Sequence, residues 1–410
     1  MTQAVFRNVA APLPLLVLAV SCLAAASALA QQKPVPGAVF GGSRGTEGNS
    51  PNPQTASRAA PSGGMFGPAR NTAQWLARLG QASQVPAYSG TYVVWSSPGM
   101  LASSRIWRAS NGGIQVERVD ALSGEPRSTY RVTDQRGSHV ETFLPELRVV
   151  RIDRSDTPGK EGGFPHLPDA GQGVSPADYY DARHRGQERV AGLMADVVQF
   201  VPRDDLRYGY RVWSEQSTGL AIKLQTLDRR GRLLEQAAFS GLTFNPATSV
   251  PALQHEMRRT SGWRKERVMR VATTARAEGW QIGSPAGQPV PGFAFQRCYR
   301  PPVPVRAADV AAGDRRAGDP LLADSAAQGE AGSQTWFQCV FSDGFAAVSV
   351  FIQSYDAARR EDHHRGELDA AWGATHVLAR RVDDKGWVTV VGEVPPQTLK
   401  RFAEGVSRLP

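Results

Sequence analysis

The strongest constraint on the fold is the alternation of apolar and polar residues across residues 206–244. Apolar side chains recur at every second position between residues 208 and 212 and again between 220 and 224. Ser217-Thr218-Gly219 separates these runs, and Asp228-Arg229-Arg230-Gly231 ends the second one. A period of two places successive side chains on opposite faces of a strand. The stretch therefore predicts an antiparallel meander with one buried face.

More strands are predicted upstream of this meander, each rich in β-branched or aromatic residues and bounded by turn residues. They are Gly90–Ser96, Ser104–Ala109, Gly113–Val119, Ser128–Thr133, Ser138–Leu144, Glu146–Asp153 and Glu188–Val201. Asn111-Gly112 predicts a hairpin turn, and Thr72 is the predicted cap of a short helix that carries Trp75 and Leu79. Residues 71–247 therefore predict a large, mainly β domain: a curled antiparallel sheet, or half-open barrel, with covering helices.

A smaller α+β domain is predicted at residues 276–410, where five or so strands precede an amphipathic helix after Pro395-Pro396. Residues 300–334 are rich in Pro, Ala, Gly, Asp and Arg, which predicts a disordered insertion. Residues 248–275 carry a series of Arg and Lys around Trp263. This segment is either a basic patch for an acidic partner or, as we favour, a connector with a solvated face.

The N-terminus predicts export. Residues 1–30 combine Arg7, an almost wholly apolar run and Ala28-Leu29-Ala30, which together are typical of a cleaved signal peptide. A retained membrane anchor and a lipoprotein signal at Cys22 are the alternatives. Residues 31–70 are rich in Gly, Pro, Ser and Ala and predict a flexible tether. The expected location is therefore outside the cytoplasm.

Export restricts how the net charge and the two remaining cysteines can be interpreted. The net charge of +9 does not indicate binding to nucleic acid in an exported protein. The remaining explanations of this charge are an acidic protein partner, an anionic lipid or a solvated surface. Cys298 and Cys339 follow the signal peptide, and an oxidising compartment makes them candidates for one disulfide. Free buried thiols, a redox pair and half of a metal site are the alternatives.

No motif in the chain indicates catalysis, a metal or a cofactor. We find no HExxH or GxxxxGK[ST] pattern, and the single GxSxG match, at residues 41–45, lies in the predicted tether rather than at a strand-to-helix turn. His363-His364 is the only cluster that resembles a metal site, and we favour a solvated loop because no third ligand is placed. We therefore expect a protein that is not an enzyme and that needs no metal or cofactor.

An apolar hollow is the chemical feature that a curled sheet would offer. Alternate residues of such a sheet line its inner side, and an apolar hollow suits acyl chains. A core filled by side chains is the alternative and is favoured by sequence alone. The candidate lipid-binding residues are Tyr92, Val94, Tyr130, Val132, Tyr208, Tyr210, Ile222 and Leu224.

Several stretches together resemble the MucB/RseB family of periplasmic sigma-E regulators. They are YSGTYVVW (88–95), LPELRVVRID (144–153), the run from 188 to 239, FSDGFAAVSVFIQ (341–353) and VTVVGEVPPQTLKRFAE (388–404). The resemblance covers residues 71–410 except the insertion at 300–334. It implies a large domain similar to the lipoprotein-binding LolA and LolB proteins, followed by a small C-terminal domain.

The resemblance also implies a function without catalytic residues. Proteins of this family bind the periplasmic segment of a membrane-spanning anti-sigma factor and shield it from proteolysis, and lipid or lipopolysaccharide releases that hold. A periplasmic lipid or lipoprotein carrier is the alternative, and it leaves the small domain unexplained. The expected partner-binding residues are Arg264 and Lys265 in the basic segment and Phe341, Ser342, Asp343 and Gly344 in a hairpin. Whether the protein forms homo-oligomers stays open.

Overall fold

The computed structural model describes residues 70–82, 85–97, 99–155, 174–257, 260, 262–271, 279–283, 290–304, 336–354, 368–383 and 386–409. The predicted signal peptide, the tether up to residue 69, most of the predicted insertion and His363-His364 lie outside the described residues. Among the described residues, no helix has the length and apolar character that crossing a bilayer requires.

The large domain is an eleven-stranded antiparallel sheet. Its strands are β1 (Ala87–Ser96), β2 (Met100–Asn111), β3 (Ile114–Ala121), β4 (Ser128–Asp134), β5 (Gly137–Leu144), β6 (Val149–Ser155), β7 (Tyr180–Val190), β8 (Leu193–Pro202), β9 (Gly209–Glu215), β10 (Ala221–Leu227) and β11 (Leu233–Phe244). They lie in the order β6-β5-β4-β3-β2-β1-β11-β10-β9-β8-β7. The sheet curls but does not close, since no pairing joins the described residues of β6 and β7. The predicted curled, half-open sheet is confirmed.

The turns explain which strands could be predicted. Gly112 and Gly113 have φ values of +58° and +79°, so the hairpin between β2 and β3 uses glycine where the left-handed region is required. The long strand predicted at Glu188–Val201 is instead two strands, because the chain turns at Ala191 and Gly192 with φ values of 48° and 85°. Alanine rarely adopts this conformation, so the sequence gives little sign of the turn.

Helices α1 (Thr72–Gln81) and α2 (Val250–Met257) cover parts of this sheet. The cap of α1 is Asn71 and not Thr72: its side chain accepts from the N–H of Gln74, whose side chain accepts from Asn71 in return. The Thr72 hydroxyl instead accepts from the N–H of Ala182 on β7. The helix is thereby tied to the sheet at its first residue.

The described part of the basic segment at 248–275 joins the two domains through regular secondary structure. It contains α2 and then β12 (Arg264–Val271), which pairs in parallel with β6 and antiparallel with β14 (Ala294–Pro304). Glu266 of β12 forms an ion pair with Arg151 of β6 at 3.0 Å. Because one strand occupies an edge of both domain sheets, the described strands of the two domains form one continuous sheet.

The C-terminal domain is a second antiparallel layer. Its remaining strands are β13 (Trp280–Ile282), β15 (Trp336–Ser342), β16 (Ala347–Ser354), β17 (Leu368–Trp372), β18 (Thr375–Arg381), β19 (Gly386–Gly392) and β20 (Val406–Arg408), and α3 (Pro396–Glu404) is its helix. The predicted disulfide is formed: Cys298 and Cys339 are direct neighbours across β14 and β15. Both lie in the core with Leu399 and Phe402 of α3. The strands β13, β17 and β20 were not predicted.

Candidate functional site

The eight residues predicted to line one hollow do not share a face of the sheet. Tyr92 pairs with Ser104 of β2, whereas Tyr130 pairs with Arg118, whose partner on β2 is Trp107. Residues 104 and 107 of a regular strand point to opposite faces. The prediction of a common lining is therefore wrong, because the register across β1 to β4 separates Tyr130 and Val132 from Tyr92 and Val94.

These residues instead fill separate apolar cores, and two of the eight, Tyr208 and Tyr210, also contact the C-terminal domain. Tyr92, Val94 and Ile222 pack in one core, while Tyr210 and Leu224 pack with Trp75 and Leu79 of α1. Val132 packs beneath α2, and Tyr130 packs against Phe143 and Val150. Tyr208 contacts His376 of β18. In this conformation, these side chains pack against other side chains of the protein.

The hairpin predicted to bind a partner is buried between the two domains. Phe341 is 5% exposed, Ser342 2% and Asp343 0%, and Gly344 is also buried. The expected surface role is therefore wrong for this conformation. A carboxylate and a backbone turn in this position can serve the docking of the domains, because the large domain surrounds them.

Asp343 is the centre of a buried polar cluster that joins the domains. Its Oδ2 accepts from Arg207 Nη1 and from the Tyr180 hydroxyl, both at 2.9 Å. Its Oδ1 accepts from the backbone N–H groups of Phe345 and Ala346. All three side chains of Asp343, Arg207 and Tyr180 are 0% exposed. The cluster satisfies the hydrogen-bonding groups that burial would otherwise leave costly.

Burial and neighbouring charges together set the pKa values of the acidic groups in this cluster. Burial raises the pKa of Asp343, and the charge of Arg207 opposes that rise. Burial and the Asp343 carboxylate raise the pKa of Tyr180 well above its ordinary value, so its hydroxyl remains a donor. Arg207 also binds Asp204 and donates to the carbonyl of Pro291 at 2.7 Å. This arginine therefore contacts both domains at once.

Phe345 adds an apolar plug beside the polar cluster. Its ring centroid lies 4.8 Å from that of Tyr180, 4.8 Å from that of Phe200 and 4.9 Å from that of Tyr210. All four rings are buried. A side chain of the small domain thus completes a core of the large domain, and such aromatic packing contributes beyond the area it buries.

Polar contacts continue along the same boundary. The Thr398 hydroxyl donates to the carbonyl of Leu206 at 2.7 Å, and Tyr208 bonds His376 at 2.9 Å. The N–H of Gly373 donates to the carbonyl of Ser97 at 2.7 Å. We call this boundary the domain seam, and its members are Ser97, Tyr180, Leu206, Arg207, Tyr208, Tyr210, Asp343, Phe345, Gly373, His376 and Thr398.

The basic residues expected to meet a partner remain at the surface. Arg264 and Lys265 are exposed on β12, and Arg264 Nη2 bonds Glu266 at 2.9 Å. Within the described residues, no group of three or more His, Cys, Asp or Glu side chains is arranged to hold a metal ion. The arrangement therefore offers a charged surface and a domain seam as its functional features.

Sequence reasoning singled out Asp343 for another role and missed Tyr180, Arg207 and Phe345. Arg207 lies in the polar run Arg203-Asp204-Asp205, which is typical of a solvated turn, and nothing local marks it as buried. The available signal was Phe345, a large aromatic residue directly after the Asp343-Gly344 turn. An aromatic side chain at such a turn is costly to expose, and this favours contact with another unit.

Comparison with known proteins identifies both domains. The model of the MucB/RseB N-terminal domain matches residues 71–259, and that of the MucB/RseB C-terminal domain matches residues 274–407. The chain belongs to the MucB/RseB family. This MucB/RseB member is 28% identical over 340 residues to the sigma factor AlgU regulatory protein MucB of Pseudomonas aeruginosa. The aligned region covers 82% of this chain and 90% of the relative.

Two further similarities extend this assignment. The sigma-E factor regulatory protein RseB of Salmonella typhimurium is 26% identical over 338 residues, or 81% of this chain and 89% of the relative. Among solved structures, MucB in complex with MucA(peri) shares the fold at a TM-score of 0.55 and 24% identity, covering 82% of this chain and 99% of that chain. Both of these curated relatives are named as sigma factor regulatory proteins.

Proposed function

We propose that this protein is a periplasmic negative regulator of an envelope-stress sigma factor of the sigma-E type. It binds the periplasmic segment of a membrane-spanning anti-sigma factor and shields that segment from proteolysis. The observation that carries the proposal is the likeness of both domains, over 82% of the chain, to MucB in complex with MucA(peri). No catalytic step is part of this function.

The docked arrangement of the domains supports a binding role. A strand shared by two sheets and a buried seam hold the domains in one orientation. A fixed orientation suits a surface that must engage an extended polypeptide, because pre-organisation lowers the cost of binding. For a lipid or lipoprotein carrier, the contacts that fix the small domain against the large domain would have no evident role.

Release by lipid or lipopolysaccharide is part of the proposal. The apolar residues that suit acyl chains are packed in cores, so lipid would have to favour a second conformation in which the sheet or the seam opens. A ligand shifts such an equilibrium only by its difference in affinity for the two states. Lipid and partner would then weaken each other's binding reciprocally.

Arg264 and Lys265 are the proposed contacts for the partner. Both are exposed on the strand that joins the domains, where an acidic segment could reach either sheet. Charged residues at the rim of an interface act mainly on the association rate and on specificity. Reversing one of these charges should therefore weaken the complex without unfolding the protein.

Protection from a protease tests this proposal. The purified periplasmic segment of the anti-sigma factor is incubated with the protease that cleaves this segment, with and without the full chain of the present protein. We expect the full chain to slow cleavage at least about tenfold, and Lys265→Glu to lose part of this effect. Lys400→Glu, at an exposed position on α3, is the matched control. Equal cleavage rates with and without the protein would refute the proposal.

A further inference from the structure

A row of cross-strand neighbours on the large sheet lies beneath the C-terminal domain. Phe200 pairs with Tyr210, Tyr210 with Thr226, Thr226 with Glu235, and Glu235 with Ser96. Residues that pair directly across strands point to the same face. The row therefore brings a carboxylate, Glu235, onto the face where the small domain docks.

The C-terminal domain covers both ends of this row. Phe345 stacks on Tyr210 at one end. At the other end Gly373 lies so close that a Cβ on it would meet the Ser96 Cβ at 2.9 Å, and its N–H bonds Ser97. A glycine with a φ of +61° makes this close approach of the two domains possible.

The C-terminal domain contributes a second carboxylate to this place. Glu393 directly follows Gly392, the residue of β19 that pairs with Val348 and with His376. His376 is the seam residue that bonds Tyr208. Glu393 therefore lies next to the seam, and both glutamates act on Tyr210, the residue on which Phe345 stacks. Two carboxylates from different domains therefore share one partly buried space.

Both carboxylates hold protons more firmly than usual. Burial raises the pKa of Glu235 from 4.5 to about 7, against the effect of the Ser96 hydroxyl, which donates to its Oε2 at 3.0 Å. Burial, and then the charge of Glu235, raises the pKa of Glu393 from 4.5 to about 8. Like charges at short range in a poorly solvated place disfavour double ionisation.

Phenol and carboxyl groups act on this pair and on its neighbours. Tyr210 of β9 interacts with both glutamates and with Tyr208 and Asp343, while Tyr208, which precedes β9, interacts with Asp228 and bonds His376 of β18. Arg207 is bonded to Asp343 and Asp204.

We propose that Glu235 and Glu393 form a pH-sensitive latch, which holds the two domains docked while protons are bound and releases them as the pH of the surroundings rises. The docked state binds more protons than the undocked state wherever its carboxylates titrate at higher pH. Docking is therefore fully stabilised below pH 4.5 and weakens as the pH rises through about 7 and 8. This inference does not depend on the identity of the partner.

Hydrogen exchange of one amide tests the latch in the full chain. The Gly373 N–H bonds a carbonyl of the other domain, so its protection reports docking. After division by the intrinsic exchange rate, we expect its protection factor to fall about tenfold or more between pH 6 and pH 8.5. The Ala121 N–H, which bonds Arg127 within the large domain, should keep its protection and thereby exclude global unfolding.

Two isosteric variants and one control decide the result. Glu393→Gln and Glu235→Gln mimic the protonated acids and should reduce or abolish the pH dependence at Gly373. Glu404→Gln, at an exposed position on α3, should leave it unchanged. A wild-type protection factor that is constant with pH, or an equal fall in Glu393→Gln, would overturn the latch. Carbon-13 NMR of the wild-type glutamate carboxyls gives a second test, since titration of all of them near about 4 to 5 would also overturn it.

Discussion

Arg207 shows how strongly a single side chain can depend on a distant segment. It is 0% exposed and binds Asp343, which lies 136 residues further along the chain. Its place in a polar run predicts a solvated residue, because local sequence contains no information about Asp343 or Pro291. The centre of the seam therefore could not be predicted, whereas the apolar residues of the sheet could be.

Removing this arginine should destabilise the protein strongly. Arg207→Met leaves the Asp343 carboxylate buried without its ion-pair partner, which costs about 3–5 kcal/mol. The free energy of unfolding is measured by urea denaturation at pH 7. Arg203→Met is the matched control, since Arg203 pairs with Asp181 at the surface with both side chains 50% exposed. That variant should lose at most about 1 kcal/mol, and equal losses in the two variants would contradict the buried role.

At the scale of secondary-structure elements, the alternation of apolar and polar residues predicted most strands of the large sheet. It did not predict β12, the strand that joins the sheets of the two domains. The alternation in β9 and β10 and the Gly112 turn each reflect local chemistry, so they were readable. The strand β12 was not, because its basic composition indicates a surface while its pairing depends on two remote edges, β6 and β14. A strand is fixed by its partners as much as by its own residues.

The disulfide between β14 and β15 should contribute measurably to the stability of the C-terminal domain. It joins residues separated by 41 positions, and closure of a loop of that length is worth roughly 4 kcal/mol in the chain-entropy description. The variant with both Cys298→Ala and Cys339→Ala should lose about 2–4 kcal/mol in urea denaturation. Dithiothreitol should destabilise the wild type similarly and leave the variant unaffected. Unchanged stability in the reduced wild type would show that the bond is dispensable.

At the scale of the molecule, the two domains act as one body in this conformation. A shared strand joins their sheets on one side, and the seam joins them through Asp343, Phe345 and Gly373 on the other. The two-domain organisation was predictable from composition and from the family resemblance. The orientation of the domains was not, because it depends on contacts between residues more than 100 positions apart.

The central claim is that this docked pair of domains holds a polypeptide of an anti-sigma factor. Isothermal titration of the full chain with the periplasmic segment of its cognate anti-sigma factor tests it most directly. We predict saturable binding with one site per chain and a Kd below about 10 μM, which corresponds to roughly 7 kcal/mol of binding free energy. The absence of measurable heat at these concentrations, together with failure to retain the segment in a pull-down, would contradict the account.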